Sequence, residues 1–300
     1  MLRSAALALA SSSVLVAASI DADRIATLPG WEKKLPSPQY SGYLDVGSGK
    51  HLHYWLAQSE GEESGTPSKD PLVFWFNGGP GCSSLDGYFY EHGPMHVIEP
   101  VKNISGVPEL YLNPNRWNRV ANVVFLESPA GVGFSYAETP DGLKHNDTGT
   151  AEDAYTALKQ FFEGFPEYKQ NEFFISGESY AGMYVPTFAL QVLEHNKLAQ
   201  VEAKINLQGI LVGNGVTGGG SIPSDVTFHN DVEFFFGHAL YNASLHTAIV
   251  AACGDYKTVS STCQALMGEM HEQIGHINVY DIYGERSSSY SSSFLFLGLG

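Results

Sequence analysis

Ser179 stands in Phe173-Phe174-Ile175-Ser176-Gly177-Glu178-Ser179-Tyr180-Ala181-Gly182: a short apolar run, small residues around a serine, then a stretch able to be helical. That is the strand–turn–helix setting in which a serine is presented as a nucleophile. The sharp turn strains the backbone, so the residues two places either side must be small. Gly177 and Ala181 fill those places, with Ala181 where the strict pattern has glycine. A hydroxyl is a poor nucleophile and needs a base, an orienting carboxylate and donors for the oxyanion. The N–H of Tyr180 is one such donor, and a helix starting there would favour negative charge beside it. The second donor is expected from Asn77-Gly78-Gly79, a Gly-rich loop after an earlier apolar run, where glycine lets backbone approach a substrate closely.

Glu178, next to the nucleophile, has two readings. Ionised, it would oppose a developing oxyanion, and a solvated surface glutamate is the plain reading. Held neutral, it becomes a donor instead. A second carboxyl nearby, such as Glu91, would raise its pKa, because two close carboxylates cannot both ionise cheaply. Such a pair would bind a substrate carboxylate at low pH.

These residues need elements to position them. His51–Leu56 alternates and reads as a strand after an irregular lead-in over Leu28–Tyr40, and Ser59–Asp70 reads as a loop. Leu72–Phe76 is a continuous apolar run of strand length, the pattern of a strand buried on both faces, and Asn122–Glu127, Phe173–Ile175 and Leu207–Val212 read as further strands of an apolar or buried kind. Thr150–Phe165 has helical spacing, with Ala154, Leu158, Phe161 and Phe162 on one face. Pro186 is expected in the first turn of a helix reaching about Asn196, since an interior proline breaks a helix. Strands alternating with helices imply an α/β fold with a mainly parallel sheet and ligands at the strand carboxyl ends. Asn77, Ser128, Ser179 and Asn214 all follow strand ends. Beyond Thr217 no further clear strand follows, Asp231–Met270 reads as helical or irregular, and the region suits an inserted cap.

Composition narrows the class. The 300 residues carry 32 acidic and 16 basic side chains, a net charge of −16, which disfavours nucleic acid as a partner and suits work in acid. Residues 1–19 read as a secretory signal, with Arg3, an apolar stretch from Ala5 to Ala18 and a small-residue cleavage site. No later run of about 18 apolar residues predicts a membrane span. Secretion would allow disulfides. Of three cysteines, Cys253 and Cys263 would close a short loop, leaving Cys82 over. Sequons at Asn103, Asn146 and Asn242 are expected glycan sites. No metal-ligand spacing and no cofactor motif occurs, and residues 287–300 are a Ser-rich, then apolar tail.

Asn77–Gly87 (NGGPGCSSLDG), Glu91–Pro94 (EHGP), Leu126–Tyr136 (LESPAGVGFSY), Gly177–Gly182 (GESYAG), Gly209–Val216 (GILVGNGV) and Asn278–Ile282 (NVYDI) resemble the serine carboxypeptidases, and Gln39–Leu56 looks most like the lysosomal branch. The resemblance covers roughly residues 24–286. It implies an α/β-hydrolase fold with helices on both faces of the sheet, its core over residues 20–216 and its helical cap over 217–286. It also implies an acyl-enzyme on Ser179, with the Gly79 and Tyr180 N–H groups as oxyanion hole. Asn77, the Gly78 N–H and Glu178 would bind the C-terminal carboxylate of a peptide. Glu91 would share a proton with Glu178, and Trp75 would support them. Peptide or protein C-termini would be the substrates, cleaved at acid pH in a lysosome, vacuole or the extracellular space. The family's catalytic Asp and His stand in motifs that these residues do not contain. Cys82's partner and the last strands would belong to the same missing portion, so the chain is expected to be an N-terminal portion. Asp255 with His271 or His276 has the right order but the wrong context. An acyltransferase relative and a non-catalytic copy are the alternatives. The sequence leaves the oligomeric state open and is compatible with a homodimer.

Overall fold

The computed structural model describes residues 22–98, 106–217, 224–278 and 281–283. The expected signal (1–19), Asn103, Gly218–Gly220 and the tail lie outside these. The chain divides into two compact units between residues 217 and 218.

The first unit is built on a seven-stranded sheet. Its strands are β1 (Gln39–Gly47), β2 (Lys50–Ala57), β3 (Leu72–Phe76), β6 (Asn122–Leu126), β7 (Tyr136–Ala137), β8 (Phe173–Glu178) and β9 (Leu207–Gly213). They lie in the order β1-β2-β6-β3-β8-β9, with β7 added beside β2. β2 meets β1 and β6 antiparallel, whereas β6, β3, β8 and β9 run parallel. β4 (Met95–Val97) and β5 (Leu110–Leu112) form a separate antiparallel pair. The irregular lead-in ends earlier than the sequence suggested, because Gln39 and Tyr40 already belong to β1.

Every residue of β3 and β6 is buried, as the apolar runs Leu72–Phe76 and Val123–Leu126 require, and buried Asn122 donates to the Pro67 and Asp70 carbonyls. Alternation sends Phe74, Phe76, Val124, Leu126 and Ile175 to one face, and Val73, Trp75, Val123 and Phe125 to the other. Helices α1 (Asp147–Gly164) and α2 (Ala181–Leu198) cover the first face with Ala154, Leu158, Phe161, Val185 and Phe188. Burying each of the larger ones, Leu158, Phe161, Val185 and Phe188, contributes about 1.5–3 kcal/mol. The second face is closed by a π-helical turn over Gly87–Glu91, the β4–β5 pair and Trp31.

Two expectations need correction. α2 starts at Ala181, immediately after the nucleophile turn, and Pro186 lies inside it rather than in its first turn. The start is set by the turn itself: Gly182 N–H donates to Ser179 O and Met183 N–H to Tyr180 O, so the helix nucleates before the proline. β9 forms, but it is not buried: Ile210 and Leu211 are 48% and 46% exposed. It is the end of the strand order, so among the described residues no strand pairs with its outer edge.

The second unit resolves the helical-or-irregular stretch into three helices: α3 (Ser224–Gly237), α4 (Ala243–Cys253) and α5 (Ser261–Ile274). Asn242 and Ser260 cap α4 and α5 by accepting from Leu245 N–H and Cys263 N–H. Val232, Leu245, Ile249, Met267, Met270 and Ile274 form its core. The Cys253–Cys263 disulfide expected from the spacing joins the end of α4 to the start of α5. Among the described residues no helix is long and apolar enough to cross a membrane.

Candidate active site

The four parallel strands end at Phe76, Leu126, Glu178 and Gly213, so their loops emerge on one edge. Ser179 occupies the turn from β8 to α2 with φ of +59°, a left-handed conformation unfavourable for a side chain other than glycine. The turn is over-determined by its neighbours: Ser179 N–H donates to Gly213 O at 3.0 Å, and Ser179 O accepts from Val216 N–H at 2.9 Å. The small flanks have a steric cause. A Cβ on Gly177 would lie 2.5 Å from both Phe76 O and the Ala181 methyl. Ala181 itself is fully buried, with its methyl group against Gly177.

The Gly-rich loop after β3 lies directly against this turn. A Cβ on Gly78 would come within 2.3 Å of Tyr180 N and 2.9 Å of Ser179 Cβ. Gly79 follows at φ of +110°, a conformation that favours glycine. The loop and the helix start are thereby brought into one small space around Ser179.

Asn77 joins the carboxylates. Its Oδ1 accepts from Trp75 Nε1 at 2.7 Å and from Gly87 N–H at 3.0 Å, which fixes the amide's orientation. Its Nδ2 then donates to Glu91 Oε1 at 2.8 Å and to Glu178 Oε1 at 3.2 Å. The two carboxylates therefore share one amide donor, and Trp75 holds that donor in place. Burial raises the Glu91 pKa, the Asn77 bond opposes this, and the charges of Glu178 and Asp86 raise it further. Asp86 is a third carboxyl near the site, also raised by burial and then by Glu178 and Glu127. Its proximity was not legible beforehand, although it stands in the NGGPGCSSLDG motif.

Below Trp75, His92 is buried without a hydrogen-bond partner for either ring nitrogen among the described residues. Its ring stacks on Trp117 at 4.0 Å and meets the Trp75 edge at 4.1 Å. Burial pushes its pKa down to about 3. A cavity of about 630 Å³ opens beside the nucleophile, lined by Gly81, Val132, Asp147, Tyr180 and Tyr184. Tyr180 O–H donates to Asp147 across it at 3.2 Å.

The structure does not bring every expected residue here. Asn242, Cys253 and Cys263 belong to the second unit, and Asn146 caps α1 by accepting from Gly149 N–H. None of the first unit's six histidines is hydrogen-bonded to Ser179, although His145 lines the cavity beside it. His53 bonds Glu127, His51 Glu138, His96 the Glu91 carbonyl, His145 the Ala130 carbonyl and His195 the Gln191 carbonyl, while His92 lies in its aromatic cage. In the second unit Asp255 turns to Lys257, accepting from its N–H at 3.1 Å. Cys82 is a free, exposed thiol. Among the described residues no cluster of metal-ligating side chains forms.

A parallel sheet with a strained serine between β8 and α2, faced by a Gly-rich loop, defines an α/β-hydrolase. The particular lineage follows from comparison with known proteins. A family model for serine carboxypeptidases matches residues 29–296, and the chain belongs to that family. It is 42% identical over 264 residues to Serine carboxypeptidase-like 20 of Arabidopsis thaliana, covering 86% of this chain and 50% of that protein. It is 40% identical over 269 residues to the Lysosomal protective protein of Mus musculus, covering 89% of this chain and 53% of that protein. The chain thus spans about half the length of these curated relatives. Kex1(delta)p, a prohormone-processing carboxypeptidase of Saccharomyces cerevisiae, superposes with a TM-score of 0.63 at 23% identity, over 86% of this chain and 58% of that one. That likeness supports the fold.

Proposed function

We propose that these residues form the nucleophile, oxyanion and carboxylate-binding part of a serine carboxypeptidase, acting on peptide C-termini at acid pH through an acyl-enzyme on Ser179. The observation that carries this reading is the single Asn77 amide donating to both Glu91 and Glu178 next to the nucleophile turn. A peptide carboxylate arriving there meets the Asn77 amide and the Gly78 N–H, and is repelled by any ionised glutamate. Protonation turns a glutamate into a donor for that carboxylate. The raised pKa of Glu91 extends the protonated form to higher pH than an ordinary glutamate allows. Binding of C-termini is therefore expected to strengthen as pH falls through the carboxylate range.

The oxyanion of the tetrahedral intermediate would lie between the Gly79 and Tyr180 N–H groups. The proton on Ser179 needs a base, and among the described residues no histidine of the first unit is hydrogen-bonded to it. Turnover by these 300 residues alone is accordingly expected to be far below that of a complete Ser–His–Asp enzyme. The second unit would serve as the cap, and Asn146 and Asn242 as glycan sites on a protein of the secretory pathway.

The test is calorimetric titration with a blocked dipeptide carrying a free C-terminus and with its C-terminal amide, at pH 5 and pH 7. Selective binding of the free acid that is tighter at pH 5 is expected. Equal binding of acid and amide at both pH values overturns the reading. Transfer of the acyl group to an added alcohol rather than to water would favour the acyltransferase alternative.

A further inference from the structure

The sequence places Glu127 at the end of an apolar strand and within the Leu126–Tyr136 motif, with no role assigned to it. In the structure it follows β6 with its carboxylate fully buried. Three segments converge on that carboxylate. His53 Nδ1, on β2, lies 3.0 Å from Oε2, and Phe134 N–H, on the turn after β6, donates to Oε2 at 2.8 Å. The hydroxyl of Ser83 donates to Oε1. Ser83 belongs to the loop that begins at Asn77 and carries Gly78 and Gly79. Its neighbour Ser84 donates to Leu126 O at 2.6 Å and accepts from Asn77 N–H at 3.3 Å. The far end of the Gly-rich loop is therefore tied to the end of β6 at two adjacent residues.

The other ties reinforce Glu127 itself. Its N–H donates to His53 O at 3.0 Å, and its carbonyl accepts from Ser135 Oγ at 2.6 Å. Ser41 Oγ lies 2.8 Å from His53 Nε2, so both ring nitrogens have a hydrogen-bond partner. Space around the carboxylate is closed as well: a Cβ on Gly133 would overlap it.

We propose that Glu127 is a positioning residue for the oxyanion loop: its buried carboxylate, held by His53, clamps Ser83 and so fixes where Gly78 and Gly79 stand relative to Ser179. The proposal rests on the carboxypeptidase reading only for what the loop does; the clamp itself is a statement about the loop's position. A buried carboxylate with one donor removed is left partly unsatisfied, which makes the tie costly to break. Burial alone would raise the Glu127 pKa, but the bonds from His53, Ser83 and Phe134 N–H outweigh it and hold the group below the usual glutamate range. The anion is thus the form the clamp uses. Asp86 is the neighbouring carboxyl whose pKa the Glu127 charge helps to raise.

Cys82 gives a readout independent of turnover. It sits in the loop beside Ser83, its N–H donates to Gly78 O at 3.0 Å, and it is the one thiol of the three cysteines left outside the disulfide. The experiment measures the rate at which a neutral aromatic disulfide reacts with Cys82 in the full chain at pH 8. Ser83→Ala, which alters no charge, and Glu127→Gln are each expected to raise that rate by about tenfold, as loss of a bond to a charged acceptor frees the loop and relieves the burial and the Asp86 and Glu178 charges that hold the Cys82 thiol above its ordinary pKa. Ser83→Thr, which keeps the hydroxyl, is expected to restore it to within about twofold, and Ile175→Val, a core change remote from the loop, to leave it unchanged. Unchanged rates in folded Ser83→Ala and Glu127→Gln overturn the proposal, and so does acceleration that Ser83→Thr fails to reverse. Should Glu127→Gln not fold, Ser83→Ala decides alone. Peptide-acid titration reports the function separately, so either reading can fail without the other.

Discussion

His92→Phe isolates one buried titratable group beneath the carboxylate network. The ring is 7% exposed, stacks on Trp117 at 4.0 Å and on Phe125 at 5.3 Å, and has no partner for its nitrogens among the described residues. A phenyl ring fills the same space without nitrogens. Burial lowers the histidine's pKa from 6.5 to about 3, and the nearby His96 lowers it too. The folded state therefore refuses a proton that the unfolded chain takes up below about 6.5. The sign follows from linkage: this group's contribution is fully present above pH 6.5 and is lost as pH falls towards 3. At ~1.4 kcal/mol per pH unit, the gap between 6.5 and about 3 caps the loss near 5 kcal/mol, and about 2 kcal/mol is gone by pH 5. Urea unfolding of wild type and His92→Phe at pH 8 and pH 5 measures it. All four tryptophans lie in the first unit, so their fluorescence follows that unit. The stability of His92→Phe relative to wild type is expected to rise by about 2 kcal/mol between pH 8 and pH 5. A difference that does not change between the two pH values refutes the reasoning.

Three further outcomes are expected. Ser179→Gly should be about 1 kcal/mol more stable than Ser179→Ala, because only glycine accepts the φ of +59° without strain, and equal unfolding midpoints would remove the strained-turn argument. Glu91→Gln should stabilise the protein at pH 7 relative to pH 4; the raised pKa means that stability from the protonated carboxyl is complete below the ordinary glutamate range and is lost as pH rises through the folded value. An unchanged stability profile in thermal scans would count against a strained carboxylate there. On the sheet, Leu211→Lys on exposed β9 should shift stability by less than about 0.5 kcal/mol, while Ile175→Lys on neighbouring β8 should unfold the chain, as circular dichroism would report.

Much of the parallel sheet was readable because β3 is an unbroken apolar run and β6 and β8 contain the apolar stretches Val123–Leu126 and Phe173–Ile175, and strands covered on both faces have no need of alternation. The antiparallel start was less readable: β1 alternates weakly through Gly42 and Gly47, and its pairing with β2 places it in the sheet. β9 shows the limit of composition, since Gly209-Ile210-Leu211-Val212 has a core strand's residues but lies at the end of the strand order with exposed side chains. Similarly, Pro186 pointed to a later helix start, whereas the bonds of the nucleophile turn begin α2 at Ala181.

Ser179, its small flanks and the glycines facing it were determined by the sequence itself. A strained turn and a close backbone approach are local steric demands, and local demands are met by residue type at fixed spacing. Asn77, Glu91 and Glu178 were identified through the motifs that contain them. Only the tertiary structure decided that one Asn77 amide, turned by Trp75 and Gly87, serves both carboxylates. It alone placed Glu127 against His53 and Ser83, and His92 beneath Trp75. Those partners lie up to 101 residues apart in the chain, as Asn77 and Glu178 do. Hydrogen-bond partners over such separations depend on which strands become neighbours, and strand order is a property of the folded sheet.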